Sequence, residues 1–176
     1  MVLSAVFLIA SYSLNALSPK LAGKFQVTTT VIKLIPLVLM GVVGLIVGLT
    51  NGMTVQNFSN AVTEVTSKSG ALLTAVCATA FAYEGWVIAT SINAELRDAK
   101  KNLPIALVAG AAIVIVVYIL YYVGLAGVVP NATLMANGEE GAKVAFSSLF
   151  SSVGGTLLFV FVISSCLGTL NGLMMG

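Results

Sequence analysis

Three groups of residues in this sequence could do chemistry, and all three lie inside apolar stretches. The first is Lys33. It stands about eight residues beyond the basic boundary at Lys24 and Phe25, which in a helix is roughly 12 Å of depth. Two readings are open. The ammonium can snorkel back to the surface on its four-carbon stem, or it faces a polar pocket, because ionisable groups inside a membrane usually mark a pathway. A lysine ammonium taken out of water gives up its proton more readily, which makes Lys33 a candidate for proton or ion coupling. Pro36, three residues on, has no N–H to donate to the carbonyl of Ile32 and should loosen the helix beside the lysine.

The second group is Phe81-Ala82-Tyr83-Glu84-Gly85-Trp86. A carboxylate in hydrocarbon costs at least about 2.5–3.5 kcal/mol, tryptophan prefers the membrane interface, and glycine weakens a helix. Their combination at mid-span predicts a broken helix lining a cavity, where unwound carbonyls can hold a cation or an ammonium group and an aromatic face can cover it. A packed helix with Glu84 protonated or paired with lysine is the other reading. The third group runs from Ser164 to Gly172. Gly168, Gly172 and Gly176 recur every four residues and form a smooth face for helix packing, as does Gly44-x-x-x-Gly48. The hydroxyls of Ser164, Ser165 and Thr169 can bond their own helix or line a site.

The elements that must position these residues follow from the charge distribution. The chain has 176 residues, 59% hydrophobic and 8% charged, where a soluble domain carries about 25% charged residues; the mean hydropathy is +1.07. There is too little polar surface to coat a globule in water. No charge occurs from Met1 to Pro19, Leu34 to Thr63, Asn102 to Gly138 or Val144 to Gly176, and Gly70 to Asn93 is broken only by Glu84. A spanning helix needs about 20 apolar residues, which predicts five spans at about 1–17 (A), 26–50 (B), 70–93 (C), 104–129 (D) and 149–174 (E). Barrel-type alternation is absent, so the fold class is all-α, a polytopic membrane helix bundle in a single transmembrane unit over 1–176. Span A lacks a basic leader and is interrupted by Ser11, Ser13 and Asn15, so it reads as a spanning helix rather than a signal peptide.

Lys20 and Lys24 in the loop near 18–25, with Arg97, Lys100 and Lys101 in the loop near 94–103, outnumber Lys68 and Lys143 on the other side. The positive-inside rule makes the first two loops cytoplasmic. The opposite loops contain Asn57-Phe58-Ser59 and Asn131-Ala132-Thr133, a glycosylation pattern short enough to arise by chance. A net charge of +2 gives no reason to expect nucleic acid as a partner. With no histidine, and with Cys77 and Cys166 isolated in apolar stretches, no metal or cofactor is expected. An enzyme is disfavoured, although a dyad of Ser165 and Lys33 is conceivable if the two come within hydrogen-bond reach.

Phe81-Ala82-Tyr83-Glu84-Gly85-Trp86 followed by Glu95 and Lys101-Asn102-Leu103-Pro104 resembles the sixth-helix region of the amino acid–polyamine–organocation transporters. Gln26 with Lys33 resembles the fifth helix of their L-type amino acid transporter branch and its bacterial relatives, and Ser165-Cys166-Leu167-Gly168-Thr169-Leu170-Asn171-Gly172 the eighth. The resemblance runs in order over nearly the whole chain. It implies that spans A to E correspond to helices four to eight of a leucine-transporter-type inverted-repeat fold, in a fragment lacking the glycine-rich first helix. It further implies an amino acid permease of the plasma membrane, working by alternating access through proton coupling or exchange. The expected partners are an L-amino acid substrate, the lipid bilayer and the remaining helices of the full-length transporter. By similarity, the backbone of Phe81, Ala82 and Glu84 would accept hydrogen bonds from the substrate ammonium, within a substrate-binding segment that includes Tyr83, Gly85 and Trp86. Phe81 would be the gate. Lys33, with Ser164 and Ser165 near it, would occupy an ion-coupling position, and Cys166 and Thr169 would flank the side-chain pocket. Glu84 and Val87 depart from some relatives, so side-chain preference does not carry over. A membrane structural or assembly subunit with no transported solute is the alternative; it accounts for the small faces but not for Glu84 beside Trp86.

Overall fold

The computed structural model describes residues 2–59, 68–83, 85, 91, 96 and 98–175, and the described residues are helical almost throughout. Apolar sequence without strand alternation must satisfy its backbone internally when it lies in lipid, and helices do so segment by segment. The elements are α1 (Val2–Leu17), α2 (Pro19–Thr50), α3 (Met53–Ser59), α4 (Lys68–Ala82), α5 (Ala99–Val128), α6 (Asn131–Asn137), a 3₁₀ turn (Gly138–Glu140) and α7 (Gly141–Met175). Three stretches are each long and apolar enough to cross a bilayer: Pro19–Thr50, Ala99–Val128 and Val153–Met175. Of the five expected spans, A and C are carried by the shorter apolar helices α1 and α4, of 16 and 15 residues. Within 70–93, α4 ends at Ala82, and most of the stretch from 84 to 93 lies outside the described residues.

Two local features bear on these expectations. Helix α2 runs unbroken through Pro36, because a proline removes one hydrogen bond while the neighbours packed on both sides hold the remaining turns. It also starts at Pro19, where the fixed proline φ suits a first helical position. The C-terminal helix, in contrast, is divided: Phe150 (φ −117°) and Ser151 (φ +56°, ψ −148°) are non-helical inside α7. The segment before this break packs sideways on the bundle, and the segment after it is the apolar span.

Small residues set the architecture. Helices α2 and α5 run parallel, with Gly41 against Leu120, Gly44 against Gly124 and Gly48 against Gly127. A Cβ on Gly44 would strike the carbonyl of Gly124, and one on Gly124 the carbonyl of Met40. Without a hydrophobic drive between helices in lipid, such backbone-to-backbone approach is what holds them together. Helix α7 runs antiparallel to α2 on another face, with Gly168 over Thr29 and Gly172 over Gln26. A compact core of Met40, Leu125, Val129, Ala145 and Phe146 closes the end where α2 and α5 finish.

The same end is tied by a reciprocal pair of asparagines. Asn57 Nδ2 donates to the carbonyls of Ala126 (2.6 Å) and Val129 (3.0 Å), which the end of α5 leaves without helical partners. Asn131 donates its backbone N–H to Asn57 Oδ1 (3.1 Å) and its Nδ2 to the Asn57 carbonyl (3.0 Å). Both glycosylation-pattern asparagines are therefore engaged in holding α3, α5 and α6 together. Replacing Asn57 by alanine should cost about 2–3 kcal/mol, two or more hydrogen bonds at about 1 kcal/mol each plus the carbonyls left unpaired. The check is a lowered midpoint of thermal unfolding in detergent, with proteolysis increased between α2 and α4.

The chain exposes 12007 Å² of surface, against about 8,000 Å² for a soluble monomer of this mass. Much of the excess is apolar, including Val27 (66%), Val108 (72%), Val116 (64%) and Phe159 (65%). Such faces call for lipid or further helices as neighbours.

Candidate functional site

A cavity of about 840 Å³ lies between α2, α5 and α7. Each helix contributes for a sequence reason. From α2 come Lys33, Pro36 and Leu37, one turn of a single face. From α5 come Tyr118 and Tyr121, three residues apart and so also on one face. Helix α7 contributes from both sides of its break: Lys143, Phe146 and Ser147 before it, and Phe159, Val162 and Ser165 after it. The non-helical Ser151 folds the first segment across one end of the cavity that the second segment walls.

Lys33 and Ser165 thus line the same cavity. Lys33 is half-buried, its Cε 3.6 Å from the place a Cβ on Gly168 would occupy. Among the described residues it has no ion-pair or hydrogen-bond partner, and no hydrogen bond joins it to Ser165, as a Ser–Lys dyad would require. The ion pair of the described residues is Lys143 with Glu140 at 3.4 Å, both ends exposed, at the mouth of the cavity. Exposed pairs of this kind contribute about 0–1 kcal/mol, so Glu140→Gln should leave thermal stability within about 1 kcal/mol of the parent.

The remaining expected site residues are more scattered. The backbone of Phe81 and Ala82 forms the last turn of α4, and Gly85 has φ +140°, a conformation that glycine adopts without strain. Helix α4 therefore stops within the motif. Tyr83 reaches the bundle: its ring meets that of Tyr118 edge-on, centroids 5.4 Å apart and planes at 77°. Because Tyr118 lines the cavity, this contact brings the end of α4 to the cavity wall. Glu84 and Trp86 lie outside the described residues. Ser164 is half-buried, while Cys166 and Thr169 are exposed on α7; these three do not line the cavity with Lys33.

Sequence reasoning missed Tyr118, Tyr121 and Phe146. They sit among many apolar residues in charge-free stretches, and only the crossing of three helices selects which of them face inward. A second omission is a buried polar junction. Asn171 is 1% exposed; its Nδ2 donates to Gln26 Oε1 (3.0 Å) and the Ala22 carbonyl (3.3 Å), and its Oδ1 accepts from Asn15 Nδ2 (3.0 Å). The signal was present in the sequence as two amides inside apolar spans, Asn15 and Asn171, but nothing showed that they meet.

Apolar helices with lipid-type surfaces, crossing on glycines around a cavity lined by a lysine without a partner among the described residues, define a polytopic integral membrane protein of the helix-bundle class. The amino acid permease family profile matches residues 1–176, and the chain belongs to that family. It is 34% identical over 159 residues to the serine/threonine exchanger SteT of Bacillus subtilis (strain 168), covering 90% of this chain and 35% of SteT. It is 29% identical over 170 residues to the b(0,+)-type amino acid transporter 1 of Homo sapiens, covering 97% and 34%. Identity to the cystine/glutamate transporter of Pongo abelii is 27% over 170 residues, covering 97% and 33%. The chain spans about a third of the length of these curated relatives. No solved structure matches it.

Proposed function

We propose that this chain forms the central helices of a secondary amino acid transporter of the plasma membrane, moving L-amino acids by alternating access with proton coupling or exchange. The observation that carries this reading is the cavity lined by Lys33, Ser165 and Tyr118, with Tyr83 of the expected substrate segment edge-on against that tyrosine. A lysine without a partner among the described residues, in a cavity whose Tyr118 wall meets the end of a helix that stops in mid-motif, suits a site that exchanges partners during a transport cycle. In this reading the carbonyls around Phe81, Ala82 and Glu84 accept the substrate ammonium. Tyr83, Gly85 and Trp86 complete the segment, and Phe81 closes over the substrate. Cys166 and Thr169 approach the substrate side chain from α7, where they are open to a further helix of the full-length protein. Lys33, Ser164 and Ser165 couple the movement to a proton or ion. The basic segments near 18–25 and 94–103, which include the first turns of α2 and α5, face the cytoplasm. Membership of a transporter family whose named relatives exchange or transport amino acids supports the reading.

The test is uptake of labelled amino acids by the full-length protein in proteoliposomes, with the internal amino acid present or absent. Phe81→Ala is expected to raise KM about tenfold, the loss of one aromatic contact of about 1–1.5 kcal/mol. Uptake that needs internal amino acid indicates exchange; uptake driven by a proton gradient alone indicates coupling. Unchanged kinetics in Phe81→Ala would remove Phe81 from the site, and absence of any amino acid uptake or binding would favour a structural subunit.

A further inference from the structure

The Asn15–Asn171–Gln26 junction lies outside the cavity, yet it answers a question that the α2–α7 contact raises. That contact is smooth and self-similar. Gly168 sits under Thr29 and Gly172 under Gln26, and the glycines of α7 recur every four residues. A slide of α7 by one turn, about 5.4 Å, in the direction that brings Gly172 under Thr29 keeps a glycine at that contact, whereas the opposite slide brings Ser164 there. Packing of small residues therefore holds the helices close without choosing their register. The choice matters for the cavity: Ser165 lies three residues before Gly168 and Lys33 four residues after Thr29. In the slipped registers Phe161 or Thr169 would take the place of Ser165.

We propose that Asn171 is a positioning residue that pins α7 in register against α2, and so determines that Ser165 lines the cavity of Lys33. Its amide bridges three helices: Asn15 of α1, and Ala22 and Gln26 of α2. In either one-turn slip its place would be taken by Leu167 or Met175. Gln26 Oε1 and the Asn15 amide, both half-buried, would then lose their interhelical partner, and an apolar side chain would stand at the buried position of Asn171 without replacing those bonds. A lone buried asparagine sets register between coiled-coil helices by the same physics. Thr29 cannot make this choice, because its hydroxyl is spent on its own helix, on the carbonyls of Phe25 (3.0 Å) and Gln26 (3.1 Å).

The test is disulfide cross-linking in the full-length protein, with Cys77 and Cys166 replaced by alanine. A Cβ on Gly168 would lie 2.8 Å from that of Thr29, within about an ångström of the mean disulfide spacing, so T29C with G168C reports the native register and T29C with G172C the slipped one. Asn171→Leu and, separately, Gln26→Leu are each expected to raise the slipped-to-native product ratio about tenfold, or about 1.4 kcal/mol. Asn171→Asp, which as the neutral acid keeps one donor and one acceptor, should restore the native ratio. A ratio unchanged in Gln26→Leu overturns the proposal even if Asn171→Leu does not fold. The consequence for Lys33 rests on the transporter reading, but the cross-links do not. With transport measured in the parent that keeps Cys166, shifted cross-links and no amino acid transport would sink that reading and keep the register role; native cross-links in the variants and intact transport in that parent would do the reverse.

Discussion

Gly44→Leu is expected to leave little or no folded protein extractable in mild detergent. Gly44 faces the backbone of Gly124, not a side chain that could turn aside: Cα and the carbonyl carbon of Gly124 would lie 3.0 and 2.8 Å from a Cβ at position 44, and the carbonyl oxygen closer still. Gly124 in turn abuts the Met40 and Gly41 backbone, and Gly127 the carbonyl of Gly44. Relief therefore requires α2 and α5 to separate along more than one turn. Overpacking that side-chain adjustment can absorb costs about 1–3 kcal/mol. Separating two backbones should exceed that range, against a total stability of about 5–15 kcal/mol for a typical protein. It would also uncouple Met40 and Leu125, which share the core at that end. Gly110→Ala is the matched control. That glycine is helical with nothing within 4 Å of its Cβ position, so alanine should be neutral or stabilise by up to about 1 kcal/mol. The measurement is the monodisperse fraction after extraction and its unfolding midpoint. Equal yields for the two variants would show that α2 and α5 do not cross backbone to backbone at Gly44.

Lys33→Ala is expected to lower amino acid uptake by the full-length protein about ten- to a hundredfold while leaving folding intact. A hydrogen bond from a charged donor is worth about 1.5–3 kcal/mol, and each 1.4 kcal/mol is a factor of ten. Lys33 has no ion-pair or hydrogen-bond partner among the described residues, so its removal strands none of them, and the unfolding midpoint should not fall. Lys33→Met separates charge from packing: it keeps a long apolar stem over Gly168 and removes the ammonium. If Lys33 is the coupling group, Met and Ala should be equally impaired, and the dependence of uptake on external pH should flatten in both. Uptake retained in Lys33→Met but lost in Lys33→Ala would assign Lys33 a packing role.

The local consequences of these residue types are legible in the sequence alone. Apolar runs such as those around Val116 and Phe159 cannot be stable facing water, and a charge-free stretch of 20 or more residues can satisfy its backbone in lipid only as a helix. The class of fold follows from that. The glycines at 44, 48, 168 and 172 announced close packing because a spacing of four puts each pair on one helix face, where a second helix can approach. The motif at Phe81–Trp86 announced an interruption, and α4 does end at Ala82 with Gly85 at positive φ. Partners were not legible. Gly44 could have met any small face; it meets Gly124 on a parallel neighbour. Pro36 looked like a weak point, but burial between helices keeps α2 continuous there. The break in α7 falls at Phe150 and Ser151, beside Ser152, Gly154 and Gly155 and at the start of the expected span E.

By itself, then, the sequence determined the solvent, the helices, their small faces and the identity of an intramembrane lysine, because each of these is a property of one residue type in one local environment. Only the tertiary structure decided that Tyr118 and Ser165 join Lys33 around one cavity, that Asn57 and Asn131 clasp the far end, and that Asn15, Gln26 and Asn171 meet at a buried junction. Those choices depend on the register and direction of helices far apart in the chain. Glycine faces let two helices approach closely, and the polar side chains that meet across them, as Asn15, Gln26 and Asn171 do, find those partners only in one arrangement.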